Sequence, residues 1–196
     1  MKKIGITGII GSGKSSVGKI LADLGYSILD ADKVVHYLYK NSKDLRKKIA
    51  ERFGNEVLTE SGVSREELAK IIFENNEARQ DLEKLVYPFL EKEILSFWKS
   101  EEQIGSEFVF LEAALFHKIP SILKKLDQVW EVQAPQEKLL ERLLGRGMKK
   151  EDALARLELQ KENKIHMSSS KIKELKNYGS IEELKEEILL FLKKLV

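Results

Sequence analysis

Gly8-Ile9-Ile10-Gly11-Ser12-Gly13-Lys14-Ser15 is the stretch that decides the fold. Its spacing, G-x-x-x-x-G-K-S, is that of a phosphate-binding loop. Before it, Lys3-Ile4-Gly5-Ile6-Thr7 reads as a short buried strand. After it, Ser16-Val17-Gly18-Lys19-Ile20-Leu21-Ala22 reads as the first turns of a helix. Strand, glycine loop and helix in that order are the context the motif requires. Gly8, Gly11 and Gly13 let backbone N–H groups close around phosphate oxygens, and the helix N-terminus adds partial positive charge at the same point. Ser12 and Ser16 lie in the same run and are expected to contact the nucleotide. Lys14 is expected to reach the β- and γ-phosphates and Ser15 to bind Mg²⁺. The motif implies ATP or another nucleoside triphosphate and leaves its use open.

The 196 residues fit a single domain or one core with helical insertions, long enough to bury most of their apolar surface. A net charge of +2 gives no reason to expect nucleic acid as the main partner. With no cysteine, disulfides, thiolate zinc sites and thiol catalysis are excluded. His36, His117 and His166 are scattered without metal-ligand spacing. The basic Met1-Lys2-Lys3 start runs into Gly5 and Thr7 before a signal core can form, and no apolar run of about 18 residues exists. A soluble cytoplasmic protein without membrane partners is the expectation. Nothing in the sequence settles oligomeric state, and a monomer or weak homo-oligomer is expected.

Further along, Tyr26-Ser27-Ile28-Leu29-Asp30 reads as a second strand, with Gly25 ending the first helix. From Lys33 to Ser100 the pattern is mostly helical, broken at Asn41-Ser42, Phe53-Gly54-Asn55 and Glu60-Ser61-Gly62. Ser64-Arg65-Glu66-Glu67 is a capping box that opens a helix. Pro88 is expected to interrupt a helix or start another. Phe108-Val109-Phe110-Leu111 and Gln128-Val129-Trp130-Glu131-Val132 suit strands covered on both faces. Pro135 precedes a helix that runs to Asn163 with a break at Gly145-Arg146-Gly147, and Ser180-Ile181-Glu182-Glu183 caps a last amphipathic helix. Strands alternating with helices imply an α/β fold, a parallel sheet with helices on both faces. We expect a core at about 1–40, 105–138 and 165–196. A helical insertion at about 41–100 would be substrate-binding or merely scaffold, and a lid would span about 139–164.

A GTP switch needs N-K-x-D, whereas the nearest string is Lys124-Lys125-Leu126-Asp127, and D-x-x-G occurs nowhere. A small-molecule kinase fits better. Asp30-Ala31-Asp32 falls at the carboxyl end of the second strand, where ligands of open α/β sheets bind. If the strand persists, alternation puts both carboxylates on one side. Asp32 would then accept the proton of an attacking hydroxyl, with Asp30 orienting it or binding metal-linked water. A helix N-cap is the competing reading for either. Arg142 and Arg146 lie four apart on a helical stretch and would share a face, clamping phosphates on a lid hinged at Gly145 and Gly147, or merely forming a solvated charged face. Glu112 follows the third strand, where an acid could hold a Mg²⁺-bound water, though chance would also place one there.

Taken together these residues resemble the dephospho-CoA kinase family over nearly the whole chain. The matching segments are Gly5-Ile6-Thr7-Gly8 with Gly11 to Ser16, Asp30-Ala31-Asp32, Phe53-Gly54, Gly62-Val63-Ser64-Arg65-Glu66-Glu67-Leu68, Ile72-Phe73, Leu82-Glu83, Arg142, Arg146, Gln160, and Asn177-Tyr178-Gly179. The resemblance implies a three-layer P-loop kinase fold on a five-stranded parallel sheet. It also implies ATP with Mg²⁺ as donor, and dephospho-CoA phosphorylated on its ribose 3′-hydroxyl. Asp32, Lys14 and Arg142 would be catalytic, with Asp32 the base or hydroxyl anchor. Arg65 would bind the acceptor, and Asn177 and Gly179 would lie near adenine. Tyr87-Pro88 stands where the family has His-Pro, which places Tyr87 among the acceptor contacts. Ala113 to His117 replaces the family's Pro-Leu-Leu-x-Glu, with His117 at the Glu position. The alternatives are another small-molecule or nucleoside monophosphate kinase, or a non-catalytic ATP-binding regulatory module.

Overall fold

Strand β1 (Lys2–Thr7) is buried from Ile4 through Thr7, the mark of a strand covered on both faces. The structure, a computed structural model, describes residues 1–73, 75–161 and 171–195. After β1 the chain forms α1 (Lys14–Asp23), β2 (Ser27–Asp30), α2 (Ala31–Asn41) and α3 (Lys43–Phe53). A 3-10 turn (Asn55–Val57) leads to the short strands β3 (Leu58–Thr59) and β4 (Gly62–Val63), then α4 (Arg65–Phe73) and α5 (Asn76–Gln103). The chain continues through β5 (Phe108–Glu112), a second 3-10 turn (Phe116–Lys118), α6 (Pro120–Leu123), β6 (Gln128–Gln133), α7 (Gln136–Leu144), α8 (Lys150–Lys161), β7 (Ile172–Lys176) and α9 (Ile181–Lys193). Two compact units result: Met1–Leu29 with Glu101–Val196, and Asp30–Ser100.

The first unit is built on the parallel five-stranded sheet, in the order β2-β5-β1-β6-β7. Central β1 pairs with β5, Ile6 opposite Glu112, and with β6, Thr7 opposite Glu131. The loop after β1 therefore opens at the carboxyl ends of two flanking strands, the crevice where such sheets bind ligands. One face of the sheet, with Ile4, Ile6, Phe110, Trp130 and Val132, packs against Val17 and Leu21 of α1 and Leu184, Ile188 and Leu192 of α9. On the other face, a Cβ on Gly5 would come within 2.7 Å of Leu126 and 3.0 Å of Phe116, so the segment after β5 lies directly on the strand. Helices α7 and α8 share a smaller core of Leu139, Leu143, Ala153 and Leu157, which also takes in Ile9 and Ile10 of the glycine loop. The second capping box forms: Ser180 accepts from Glu183 N–H while the Glu183 carboxylate accepts from Ser180 N–H.

The second unit is helical, as the periodicity predicts. Leu38, Leu45, Ile49, Phe53, Val57 and Leu68 are buried in it. Two expectations change. Pro88 neither ends nor begins a helix, because α5 runs straight through it. Leu82, Val86, Leu90, Ile94 and Trp98 form a buried stripe at every fourth residue across the proline, and that burial holds the helix despite the missing N–H. The capping box at Ser64 is half formed. Its Oγ accepts from Glu67 N–H at 3.3 Å, but its own N–H donates to Val57 O at 2.8 Å and Glu67 pairs with Lys70 instead. Glu60-Ser61 is the tip of the β3–β4 hairpin, which interrupts the helices.

Candidate active site

The glycine loop ends at Gly13, the N-cap of α1, with φ +100° and no side-chain capping bond. No side chain caps the start of α1, the end of a helix that favours an anionic ligand. Lys14 folds back over the loop, its Nζ donating to Gly8 O at 2.7 Å and Ile9 O at 3.3 Å. Ser15 Oγ donates to Glu112 Oε1 at 3.0 Å. Glu112, at the carboxyl end of β5, is 8% exposed, and its other oxygen would sit 2.9 Å from a Cβ on Gly18. The structure thus brings together the Ser15 hydroxyl and the Glu112 carboxylate, which the sequence placed 97 residues apart. Hard oxygen donors of this kind, one carboxylate and one hydroxyl, suit Mg²⁺, whose remaining positions water and phosphate oxygens commonly fill. Among the described residues there is no cluster of three or more His, Asp or Glu that would hold a metal unaided.

Arg142 and Arg146 do not share a helix face. Helix α7 stops at Leu144, the turn that follows contains Gly145 and the left-handed Gly147, and Arg146 falls in that turn, exposed. Arg142, two residues before the helix end, turns toward the loop. Its Nη1 donates to Gly11 O at 3.1 Å and Ser12 O at 3.2 Å, and its Nη2 to Asn177 O and Oδ1 at 3.3 and 3.2 Å. Asn177, 5% exposed just beyond β7, donates from Nδ2 to Ser12 O at 2.7 Å. Gly179 is exposed, and the Glu183 carboxylate of the capping box occupies the place a Cβ there would take. Ser12 is wholly buried, with an Oγ that finds no partner, and Ser16 N–H donates to Gly13 O at 3.0 Å.

Asp30, Asp32, Arg65 and Tyr87 lie in the helical unit. Strand β2 does not persist through Asp32: it ends at Asp30, which caps α2 by accepting from Asp32 N–H at 3.0 Å and Lys33 N–H at 3.1 Å. The strand-alternation argument for the two carboxylates therefore fails, and Asp30 takes the capping role that competed with it. Asp32 sits in the first turn of α2, exposed. His36 and Tyr39 follow it at helical spacing, a face the sequence offered and the motif reading passed over. Arg65 Nη1 lies 3.5 Å from His36 Nδ1. Burial pushes the Tyr39 phenol up to about 12, with the Arg65 guanidinium pulling the other way. Burial also raises Tyr87, helped by the negative charge of Glu83, then by Tyr39 and Asp32. Tyr39 thus feels the Arg65 guanidinium, and Tyr87 feels Glu83, Tyr39 and Asp32. His117 lies half-buried in the second 3-10 turn. The side chain of Gln160, the far end of the expected lid and His166 fall outside the described residues.

Among the described residues no helix is long and apolar enough to cross a membrane. Comparison with known proteins gives one answer. A dephospho-CoA kinase from Carboxydothermus hydrogenoformans is 35% identical over 195 residues, covering 97% of this chain and 93% of the relative. A crystal structure of a Thermus thermophilus protein superposes with TM-score 0.78 at 28% identity, covering 100% of this chain and 98% of that one. A dephospho-CoA kinase structure from Campylobacter jejuni gives 0.70 at 27% identity, covering 99% and 97%. The family model for dephospho-CoA kinase matches residues 2–183, and the chain belongs to that family.

Proposed function

We propose that this chain transfers the γ-phosphoryl group of ATP to the ribose 3′-hydroxyl of dephospho-CoA, giving coenzyme A and ADP, in the cytoplasm and without need of a stable oligomer. Family membership over residues 2–183 is the observation that carries this reading. The glycine loop holds the triphosphate through its N–H groups. Lys14 Nζ, already lying along the loop mouth, balances charge on the β- and γ-phosphates. Ser15 and Glu112 would hold Mg²⁺, which when bound would supply neutralisation of phosphate charge.

The acceptor oxygen attacks the γ-phosphorus in line as the bond from that phosphorus to the β,γ-bridging oxygen breaks. Asp32 takes the hydroxyl proton, and ADP leaves with the bond electrons. No covalent enzyme intermediate is required, since positioning and charge stabilisation supply the rate. Arg65 and Tyr87, both in the helical unit, are assigned to the acceptor. Arg142 and Arg146 are assigned to the phosphates, and Asn177 and Gly179 to the nucleotide. The test is a panel of acceptors with γ-labelled ATP. Labelled product is expected from dephospho-CoA and not from nucleoside monophosphates. Turnover of a monophosphate with none of dephospho-CoA overturns the acceptor. Nucleotide binding with no transfer to any acceptor overturns the kinase reading altogether.

A further inference from the structure

The loop contains three glycines with positive φ, Gly8 at +150°, Gly11 at +81° and Gly13 at +100°. Glycine reaches such angles without steric cost but also leaves them easily, so the sequence of the loop does not by itself hold it in one shape. The Ser12 side chain does not hold it either, because its buried Oγ has no partner. Within the loop Ser12 N–H donates to Ile9 O at 3.1 Å and Lys14 Nζ to Gly8 O and Ile9 O, but the carbonyls of Gly11 and Ser12 are held from other elements. Ser12 O accepts from Asn177 Nδ2 at 2.7 Å and from Arg142 Nη1 at 3.2 Å, while Gly11 O accepts from Arg142 at 3.1 Å. Asn177 is itself fixed, since its backbone N–H donates to Gln133 O at 2.8 Å and its Oδ1 accepts from Arg142 Nη2 at 3.2 Å.

A trans peptide is planar, with C=O and N–H pointing in opposite directions. Pinning Ser12 O therefore pins the N–H of Gly13 on the opposite side, and that N–H takes no acceptor among the described residues. We infer that Asn177, braced by Arg142, is a positioning residue that sets the Ser12–Gly13 peptide so that Gly13 N–H is aimed at a phosphate oxygen. The inference rests on the triphosphate-binding reading above. It goes beyond placing Asn177 beside the adenine: the carboxamide oxygen and nitrogen are both engaged with the loop and with Arg142, so Asn177 acts on the nucleotide through the loop backbone.

Two neutral substitutions test this, Asn177→Ala and the near-isosteric Asn177→Leu, which keeps the volume if truncation alone unfolds the chain. Neither adds a charge that would repel phosphate. Dissociation constants are measured by calorimetry for Mg-ATP, for Mg-tripolyphosphate, which has no base, and for adenosine, which has no phosphate. Loss of one loop hydrogen bond should weaken ATP and tripolyphosphate by the same factor, about five- to tenfold, and leave adenosine unchanged. The KM for ATP should rise in step while the KM for dephospho-CoA holds. Weakened adenosine with unchanged tripolyphosphate overturns the inference, as does a lower melting temperature with every ligand constant intact. If the unaltered protein fails to bind tripolyphosphate, the triphosphate reading falls, and that result is separate from any variant.

Discussion

Replacing Gly13 by alanine probes the same peptide from the other side. The residue has φ +100° and ψ 23°, a left-handed conformation that costs an L-residue about 1–2 kcal/mol. The new Cβ would also collide with Asn177 Nδ2, which lies well inside contact distance of its ideal position. Asn177 must then move, losing its bond to Ser12 O and the one from Arg142. A neutral hydrogen bond contributes about 1 kcal/mol net and one to a charged group about 1.5–3, so the displacement costs about 2–3 kcal/mol at this half-exposed arginine. Gly13→Ala should therefore destabilise the sheet unit by about 3–5 kcal/mol, lowering the melting temperature by roughly 10 °C for a chain of this length. Asn177→Ala alone should cost about 2–3 kcal/mol, because it gives up the same two bonds. The double variant should cost no more than Gly13→Ala by itself, since the atom that clashed is gone. The coupling is then about 2–3 kcal/mol. Urea unfolding followed by the fluorescence of Trp130, fully buried in the sheet, reads all three variants. Additive costs in the double variant, or a single Gly13→Ala cost below about 1 kcal/mol, would refute the steric argument.

Three further outcomes are expected. Asp32→Asn should keep ATP affinity while losing at least about a hundredfold in kcat, the usual contribution of a general base, and rapid-quench turnover near that of the unaltered protein would remove Asp32 from the mechanism. Glu112→Gln should raise the Mg²⁺ concentration needed for half-maximal activity, about tenfold if Glu112 accounts for one metal-linked contact, and leave the KM for dephospho-CoA unchanged; an unmoved Mg²⁺ curve counts against the Ser15–Glu112 site. The Tyr39 phenol, lifted by burial from 10.0 to about 12, holds its proton longer folded than unfolded. Its stabilisation is thus complete below about pH 10 and is lost as the pH rises toward 12. Arg65→Ala should delay the ultraviolet phenolate signal of Tyr39 further, whereas an earlier signal would show that the guanidinium does not act on it.

The fold was legible because local and global cues agree at the start of the chain. The strand–loop–helix around Gly8 to Ser15, the apolar runs that became β5 and β6, and the Ser180 capping box all formed where the residue pattern puts them. The fifth strand, Ile172-Lys173-Glu174-Leu175-Lys176, has no such run. As an edge strand it buries little besides Leu175, and charged side chains elsewhere blunt the open edge, so apolar periodicity passes over it. Pro88 misled for a related reason. Proline is read as a breaker one residue at a time, whereas the buried stripe from Leu82 to Trp98 is a property of the whole of α5.

At the site the division falls between chemistry carried by one segment and chemistry shared by several. The position of Lys14 and Ser15 at the start of α1 follows from spacing because the loop that places them is contiguous. At Asp30 one residue decides between two readings: the strand stops at Asp30 instead of running to Asp32, so the alternation argument fails and the competing N-cap forms. Arg146 shifted for the same kind of reason, since α7 ends two residues short of it. Asn177 carried no local signal of the role the geometry gives it. Its reach to Ser12, 165 residues away, depends on β7 lying beside β6 and on α7 turning Arg142 back toward the loop. Neither follows from any short stretch of sequence. A phosphate loop recognised by its glycines is thus only half specified by them, because glycine permits the required angles without selecting them. The selection comes from a buried asparagine and an arginine on other elements, and a chain with an intact G-x-x-x-x-G-K-S but no equivalent of that pair should bind phosphate with a less ordered loop and lower affinity.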